Sequence, residues 1–160
     1  MLTAVDIPYQ ADELSMILLV PDSGHLAEVE ADLGAAADAA LAALAYQPVE
    51  LTMPRFETTQ SLGLAATLSD MGMPAAFSDG ADFSGMNGVG ELKITDVIHK
   101  AFIKVNAAGT EAAAATAVIV GDTSEPPPAI NVVVDRPFIL MIRDNPTGAL
   151  LFLGRIVDPS

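Results

Sequence analysis

Residues 109–117 read Gly-Thr-Glu-Ala-Ala-Ala-Ala-Thr-Ala, so one glutamate is the only long side chain in the stretch. It follows a strand-like run at 98–105 and precedes a segment, 118–128, that starts with β-branched residues and ends in three prolines. A connection of this length inside a compact chain is uncommon, and it is usually functional or disordered. Because alanine is the best helix former, composition alone favours a short helix or a linker. The neighbouring segments therefore decide how the stretch is interpreted.

The composition indicates one globular domain with an acidic surface. Of 160 residues, 51% are hydrophobic, and 21 Asp and Glu against 7 Lys and Arg give a net charge of −14. Such a surface repels phosphate backbones and anionic lipids, which argues against nucleic-acid and membrane partners. The chain has no cysteine, which excludes a disulfide framework, a thiolate zinc site and a cysteine nucleophile.

The sequence predicts strands at both ends of the chain and helices between them. Apolar alternation and β-branched content predict the strands, whereas shared apolar faces and stop signals predict the helices. The predicted strands are 2–9, 14–20, 49–54, 92–105, 130–134, 138–142 and 149–157; the predicted helices end at Gly34, Tyr46 and Gly72; turns are predicted at 10–13 and 145–148 and a loop at 77–90. Helices that interrupt the strands without regular alternation predict an α+β fold.

Few residues are candidates for catalysis, cofactor binding or metal binding. His25 is interpreted as a surface residue, and His99 lies in a strand-like run, where a hydrogen-bonded structural role is favoured over a general base. No HExxH or paired-histidine spacing supports a zinc site. Residues 78–82 resemble a fragment of a calcium loop but lack the later ligand positions, so a turn is the better interpretation. No glycine pattern for a nucleotide cofactor is present.

Motifs of one protein family occur along the chain, in the same order as in that family. They are Glu13-Leu14-Ser15-Met16, Leu51-Thr52-Met53-Pro54-Arg55-Phe56, Leu68-Ser69-Asp70-Met71-Gly72-Met73, Ala81-Asp82-Phe83-Ser84-Gly85-Met86, Val97-Ile98-His99-Lys100-Ala101-Phe102, Val105-Asn106-Ala107-Ala108-Gly109-Thr110-Glu111-Ala112, Asp135-Arg136-Pro137-Phe138, Ile142-Arg143-Asp144-Asn145 and Leu151-Phe152-Leu153-Gly154-Arg155. Over essentially its whole length, the chain resembles the C-terminal half of a bacterial-type serpin, a serine protease inhibitor. The resemblance implies the serpin fold, with mostly antiparallel strands, about three helices and a long exposed reactive-centre loop at 109–128.

The resemblance makes the alanine-rich stretch the hinge of that loop, which is offered to a protease as bait. After cleavage and acylation of the protease, the hinge inserts as an extra strand into the main sheet and distorts the attached enzyme. Alternate side chains of an inserting strand enter the sheet, where charge is costly. The inward set would be Thr110, Ala112, Ala114 and Thr116; the outward set would be Glu111, Ala113, Ala115 and Ala117, with Gly109 at the start. An uncharged inward set implies an inhibitory serpin.

The family's spacing from Gly109 places the reactive bond between Thr123 and Ser124. The interval from Gly109 to Arg136 is longer than in many members, so any bond in 120–125 stays open. Threonine on the acyl side favours an elastase-like or subtilisin-like serine protease over a trypsin-like one.

A serpin domain is more than twice as long as this chain, and the chain begins as if inside a strand. The resemblance therefore implies a partner, the N-terminal half, as a separate chain or as the remainder of a truncated sequence. That half would supply the strands around the insertion site and the hydrogen-bond partners of His99, which matches the family's buried histidine at the sheet-opening region. The resemblance also favours an extracellular location. A non-inhibitory binding or chaperone serpin, an inactive fragment and an acidic hydrolase using His99 are the alternatives.

Overall fold

The computed structural model describes residues 2–106 and 128–158, which contain eight strands and five α-helices. They form two compact units, one made of the described residues up to Phe56 and from Val105 onward, the other of Glu57–Lys104. The strands are β1 (Leu2–Pro8), β2 (Leu14–Pro21), β3 (Val49–Thr52), β4 (Phe56–Gly63), β5 (Ile98–Val105), β6 (Ile130–Val133), β7 (Phe138–Asp144) and β8 (Leu150–Ile156). The helices are α1 (Leu26–Ala31), α2 (Leu33–Ala42), α3 (Ala65–Asp70), α4 (Pro74–Phe77) and α5 (Ser84–Asn87). The α+β class is as predicted.

The first unit is built on a four-stranded antiparallel sheet in the order β1-β2-β7-β8. The two central strands are continuous apolar runs, because residues 15–21 of β2 and 138–141 of β7 are all buried. On one face, α1 and α2 cover Ile17, Leu19, Ile139 and Met141. A separate parallel pair, β3 with β6, completes the unit and departs from the otherwise antiparallel pairing.

The break between α1 and α2 lies at Asp32, not at the predicted Gly34. Asp32 has φ −136° and ψ 52°, which interrupts the helix, whereas Gly34 lies in the first turn of α2. Val29 and Leu33, on either side of the break, both pack against the sheet. The break thus keeps both apolar side chains on the core, and α2 then ends at Ala42, before the predicted Tyr46.

In the second unit, β4 and β5 form an antiparallel pair. Glu57 at the start of β4 binds Lys104 at the end of β5, with 2.9 Å between carboxylate and ammonium. At the opposite end, the backbone N–H of Leu64 donates to the Val97 carbonyl at 2.8 Å. These two contacts show that β4 and β5 run in opposite directions, and they mark the two ends of the pair.

Two expectations for β4 and β5 were wrong. β4 was not predicted at all, because its sequence, FETTQSLG, is mostly polar and most of its residues are exposed. The strand predicted at 92–105 begins only at Ile98, since the Asp96 carboxylate accepts the N–H of Val97 at 2.8 Å and competes with strand pairing.

The predicted loop at 77–90 contains one helical turn, α5, and begins on the last residue of another, α4. Both are additional to the three predicted helices, which correspond to α1, α2 and α3. α4 starts on Pro74, whose fixed φ suits the first helical position. The backbone N–H of Ser84, at the start of α5, donates to the Asp82 carboxylate at 3.0 Å. Both helices are a single turn, which is too short for apolar periodicity to be visible in the sequence.

A partly buried polar pair ties the β1–β2 turn to the β7–β8 turn. The Asn145 amide donates to the Asp12 carbonyl at 2.9 Å and to the hydroxyl of Ser15, which is 1% exposed, at 2.8 Å. The first turn contains Ala11 at φ 73° and Asp12 at φ 55°, a conformation that side-chain-bearing residues rarely adopt. Asn145 therefore holds a strained turn in place.

Replacing Asn145 with alanine should lower the free energy of unfolding by about 1–3 kcal/mol, because it leaves the buried Ser15 hydroxyl without its partner. Urea denaturation of the purified chain measures this. The matched control is Asn131→Ala, on an exposed position of β6, which should change stability by less than ~0.5 kcal/mol. Equal losses for the two variants would contradict the assignment.

The β7–β8 turn also carries a pH-sensitive contact. The Asp144 carboxylate accepts hydrogen bonds from the hydroxyl and the backbone N–H of Thr147, and these hold the pKa of Asp144 below its ordinary value. A lowered folded pKa means that the stabilisation is complete above the ordinary pKa, 3.8, and is lost as pH falls through the folded value.

Asp144→Asn should therefore lower the urea midpoint at neutral pH, and the gap to the parent chain should narrow when the pH is lowered well below 3.8. Asp38→Asn, at an exposed position of α2, controls for the loss of one negative charge. A gap for Asp144→Asn that is unchanged between the two pH values would contradict the prediction.

Candidate functional site

The candidate site begins where β5 ends, at Val105, four positions before Gly109. The hinge residues 109–116 and the reactive bond between Thr123 and Ser124 lie outside the described residues. Their roles therefore stay predictions. The site can be built from β5, which leads into them.

β5 has one paired edge and one open edge within the described part of the chain. β4 pairs with it on one side, and no described strand pairs with it on the other. Ile98 and Phe102 share a face of β5 and are 69% and 55% exposed, whereas Ala101 and Ile103 on the opposite face are half-buried. The open edge offers backbone donors and acceptors to a further strand.

The end of β5 that precedes the predicted hinge forms an ion pair with β4. The Glu57 carboxylate accepts a hydrogen bond from the Lys104 ammonium and so raises the pKa of Lys104. Both side chains are about half exposed, so the pair is a weak contact. The pair joins β4 to the end of β5 from which the connection to Gly109 starts.

His99 is exposed near the start of β5. Among residues 2–106 and 128–158, none forms a hydrogen bond with its ring, so the predicted structural partners are not in the described part of the chain. Within the same residues, no group of three or more His, Asp or Glu side chains could hold a metal ion. The role of His99 at the sheet opening stays a prediction.

The structure adds a groove that was not predicted. It holds about 940 Å³ and runs along the outer edge of β1. The small side chains of Ala36 and Ala40 in α2 and of Ala43 directly after it line one side, and the segment from Tyr46 to Val49 lines another. Their spacing of three to four residues was visible in the sequence, but the sequence does not reveal that this face of α2 lies beside a sheet edge.

Comparison with known proteins identifies the family. The model of the serpin family, described as serine protease inhibitors, matches residues 1–159. The chain belongs to the serpin family. This serpin chain is 41% identical over 158 residues to Iris of Ixodes ricinus, covering 96% of the chain and 42% of Iris. It is 38% identical over 164 residues to the leukocyte elastase inhibitor of Homo sapiens, covering 97% and 43%.

A solved serpin structure agrees with the fold. Thyroxine-binding globulin in complex with thyroxine matches 99% of this serpin chain with a TM-score of 0.80 at 29% identity, and the chain covers 41% of that structure. The predicted serpin fold is thus confirmed. The chain spans about two fifths of the length of the relatives it matches. Among the described helices of this serpin, none is long and apolar enough to cross a membrane.

Proposed function

We propose that this chain is part of a serpin that inhibits a serine protease as a suicide substrate. The observation that carries the proposal is the stretch of small residues at 109–117, whose inward set carries no charge and which follows a strand whose second edge is unpaired within the described residues. Family membership and the similarity to the leukocyte elastase inhibitor support protease inhibition. The proposed mechanism depends on the hinge.

Insertion follows from the order of β5 and the hinge in the chain. If the chain reverses after Val105, residues 109–117 run antiparallel to β5 along its open edge and extend the pair as a third strand. Each new ladder hydrogen bond contributes a net ~0.5–1.5 kcal/mol. Ala112 and Ala114 enter the sheet with no charge to desolvate, and Glu111 points to the other side. Nothing in the inward set opposes the insertion.

In the proposed mechanism, one peptide bond is exchanged for an ester, and hydrolysis of that ester is then blocked. The protease's serine oxygen attacks the carbonyl carbon of Thr123, an ester forms, and the amine of Ser124 leaves. Water would normally hydrolyse this ester with the help of the protease's histidine and oxyanion hole. Insertion of the hinge pulls the tethered enzyme with it and deforms those groups, so the ester persists.

The side chain at Thr123 sets the class of target. A β-branched residue of moderate size fits a small specificity pocket, which favours an elastase-like enzyme or a subtilisin-like one over a trypsin-like one. The name of the human relative, leukocyte elastase inhibitor, supports the first of these. Any bond in 120–125 is compatible with the family spacing. Cleavage outside that range by every protease of a serine protease panel would contradict the loop assignment.

The rest of the serpin domain is the second partner in this proposal. The chain covers 41–43% of relatives such as the elastase inhibitor and thyroxine-binding globulin. Its apolar surfaces need cover: Leu150, Leu151, Phe152 and Leu153 of β8 are each 44–53% exposed on consecutive positions, and so lie on both faces of the strand. We assign these residues, the groove beside β1 and the open edge of β5 to contacts with the N-terminal part of the domain.

A second candidate function is ligand binding without inhibition. It is favoured by the similarity to thyroxine-binding globulin, which was solved with thyroxine. The composition of 109–117 argues against it, since a binding protein does not need an uncharged inserting face. A stoichiometric inhibition assay separates the two functions.

The test compares the isolated chain with a completed domain, in which this sequence follows the N-terminal part of a related serpin. Each is incubated with an elastase-like and a subtilisin-like protease and analysed on denaturing gels. The completed domain should form an SDS-stable complex with at least one enzyme and inhibit it stoichiometrically. The isolated chain should be cleaved without forming such a complex, because only one of the two strands that flank the insertion site, β5, is present in it. The proposal would be overturned if the isolated chain formed such a complex, or if the completed domain were cleaved without forming one.

A further inference from the structure

One asparagine of the second unit is placed for a spontaneous chemical change that the proposed function does not use. Asn87 is the last residue of α5 and is exposed, and Gly88 follows it. The other three asparagines precede bulkier or constrained residues: Asn106 precedes alanine, Asn131 valine and Asn145 proline. Asn87 is therefore the only asparagine of this sequence that is followed by glycine.

Glycine at the following position matters because its backbone nitrogen is the attacking group. Gly88 has φ +77°, and a Cβ placed on it would meet nothing within 4 Å, so no side chain at position 88 and no neighbouring atom crowds the Cα beside this nitrogen. We propose that Asn87 is a site of spontaneous deamidation through a cyclic imide with Gly88. Such a site needs no enzyme and no cofactor, and water is the only co-reactant.

The reaction balances in two steps. The Gly88 nitrogen gives up its proton and bonds to the side-chain amide carbon of Asn87, which expels ammonia and closes the ring. Water then opens either carbonyl of the ring and yields aspartate or isoaspartate. Nothing is oxidised or reduced, and the net change replaces –NH₂ by –OH.

The folded turn holds the reacting groups in other contacts. The Gly88 N–H donates to the Ser84 carbonyl at 2.7 Å, and the side-chain oxygen of Asn87 accepts the Val89 N–H at 3.0 Å. The attack therefore requires α5 to open first. A single helical turn is costly to nucleate and opens readily, and the Asp82 carboxylate, which accepts the Ser84 N–H, is one of the few contacts that hold it. Opening of α5 thus sets the rate at Asn87.

Formation of isoaspartate at position 87 prevents α5 from forming again. It places an extra methylene in the main chain between Asn87 and Gly88, so the Gly88 N–H no longer reaches the Ser84 carbonyl. The second unit also gains a negative charge. Deamidation would thus leave α5 open in every molecule that takes the isoaspartate branch.

The test follows all four asparagines of the purified 160-residue chain during incubation in neutral buffer made with ¹⁸O-labelled water. Peptide mass spectrometry detects the incorporated label, and isoaspartate is separated from aspartate by chromatography. Asn87 should convert several-fold faster than Asn131 and Asn145, with both products present. Asp82→Ala should raise the rate at Asn87 several-fold and leave the rate at Asn131 unchanged, whereas Asn87→Gln should remove the labelled product from that peptide.

Two results would overturn the inference. One is conversion of Asn87 no faster than that of Asn131 and Asn145 in the folded chain. The other is a rate at Asn87 that Asp82→Ala does not change, because the reaction would then not depend on opening of α5. Circular dichroism of the Asp82→Ala variant shows whether the chain is otherwise folded; if it is not, a low concentration of urea that opens α5 without global unfolding serves as the second means of raising the rate.

Discussion

Replacing Ala112 with arginine should abolish inhibition by the completed serpin domain and convert it into an ordinary substrate of its target protease. In the proposed mechanism Ala112 belongs to the inward set of the hinge, so the arginine would have to enter a formed sheet without a partner. Burying an unpaired charge is prohibitive compared with the ~1 kcal/mol that each ladder hydrogen bond returns. Hydrolysis of the ester would then be faster than insertion of the hinge. The stoichiometry of inhibition should rise steeply, and the SDS-stable complex should disappear.

The adjacent residue provides the matched control. Ala113→Arg introduces the same side chain one position along, on the outward set with Glu111, where it meets solvent. This variant should keep inhibition within a few-fold of the parent. If both variants inhibit, or if Ala113→Arg fails where Ala112→Arg succeeds, the assignment of inward and outward faces is wrong. The pair thus tests the hinge directly, without knowledge of the exact reactive bond.

Phe138→Ala should destabilise the isolated chain more than any other single truncation in its sheet. The ring is 0% exposed at the start of β7 and packs edge-on against Phe56, with 6.0 Å between ring centroids. Removing a buried aromatic side chain costs about 3–5 kcal/mol through lost burial and the cavity left behind. That is a large part of the ~5–15 kcal/mol by which domains are stable. Urea denaturation measures the loss.

Phe152→Ala on β8 is the control for Phe138→Ala. Its ring is 44% exposed in the chain, so its truncation should cost far less. If Phe138→Ala does not fold, Phe138→Leu should still show a loss larger than that of Phe152→Ala. Equal losses for Phe152→Ala and the Phe138 variants would mean that the core is not centred on β2 and β7.

The sheet of the first unit could be predicted from the sequence because burial there is complete. β2 and β7 are apolar at nearly every position, and a run of that kind has few alternatives once turn residues bound it. β4 could not be predicted in this way. Its residues are mostly polar and exposed, and its strand conformation depends on pairing with β5, a partner about 40 positions away in the sequence.

Local hydrogen bonds and packing explain the other boundary errors. The carboxylate of Asp96 takes the Val97 N–H and delays the start of β5, a competition that hydrophobic periodicity does not register. The break at Asp32 lets Val29 and Leu33 both face the sheet, so tertiary packing set it and Gly34 did not. Such contacts exist only once the chain has folded.

The candidate site divides in the same way. The small side chains of 109–117, with a single charge at Glu111, are visible in the sequence, and they predict the hinge through the family resemblance. The groove beside β1 depends on how α2 lies against a sheet edge. Its alanines are visible in the sequence, but their distance from β1 is not. The sequence therefore predicts which segment inserts, 109–117. The structure adds the exposed surfaces for which we propose the N-terminal part of the domain as partner.

Thermal unfolding of the completed domain before and after cleavage in 120–125 tests hinge insertion most directly. A catalytic amount of a protease that cuts the loop supplies the cleaved form, and the two forms are compared by calorimetry. Insertion adds about one ladder hydrogen bond per residue, each worth ~1 kcal/mol, so the unfolding temperature should rise on the order of 10–20 °C. An unchanged or lower unfolding temperature after cleavage would contradict the insertion mechanism and favour the non-inhibitory alternative.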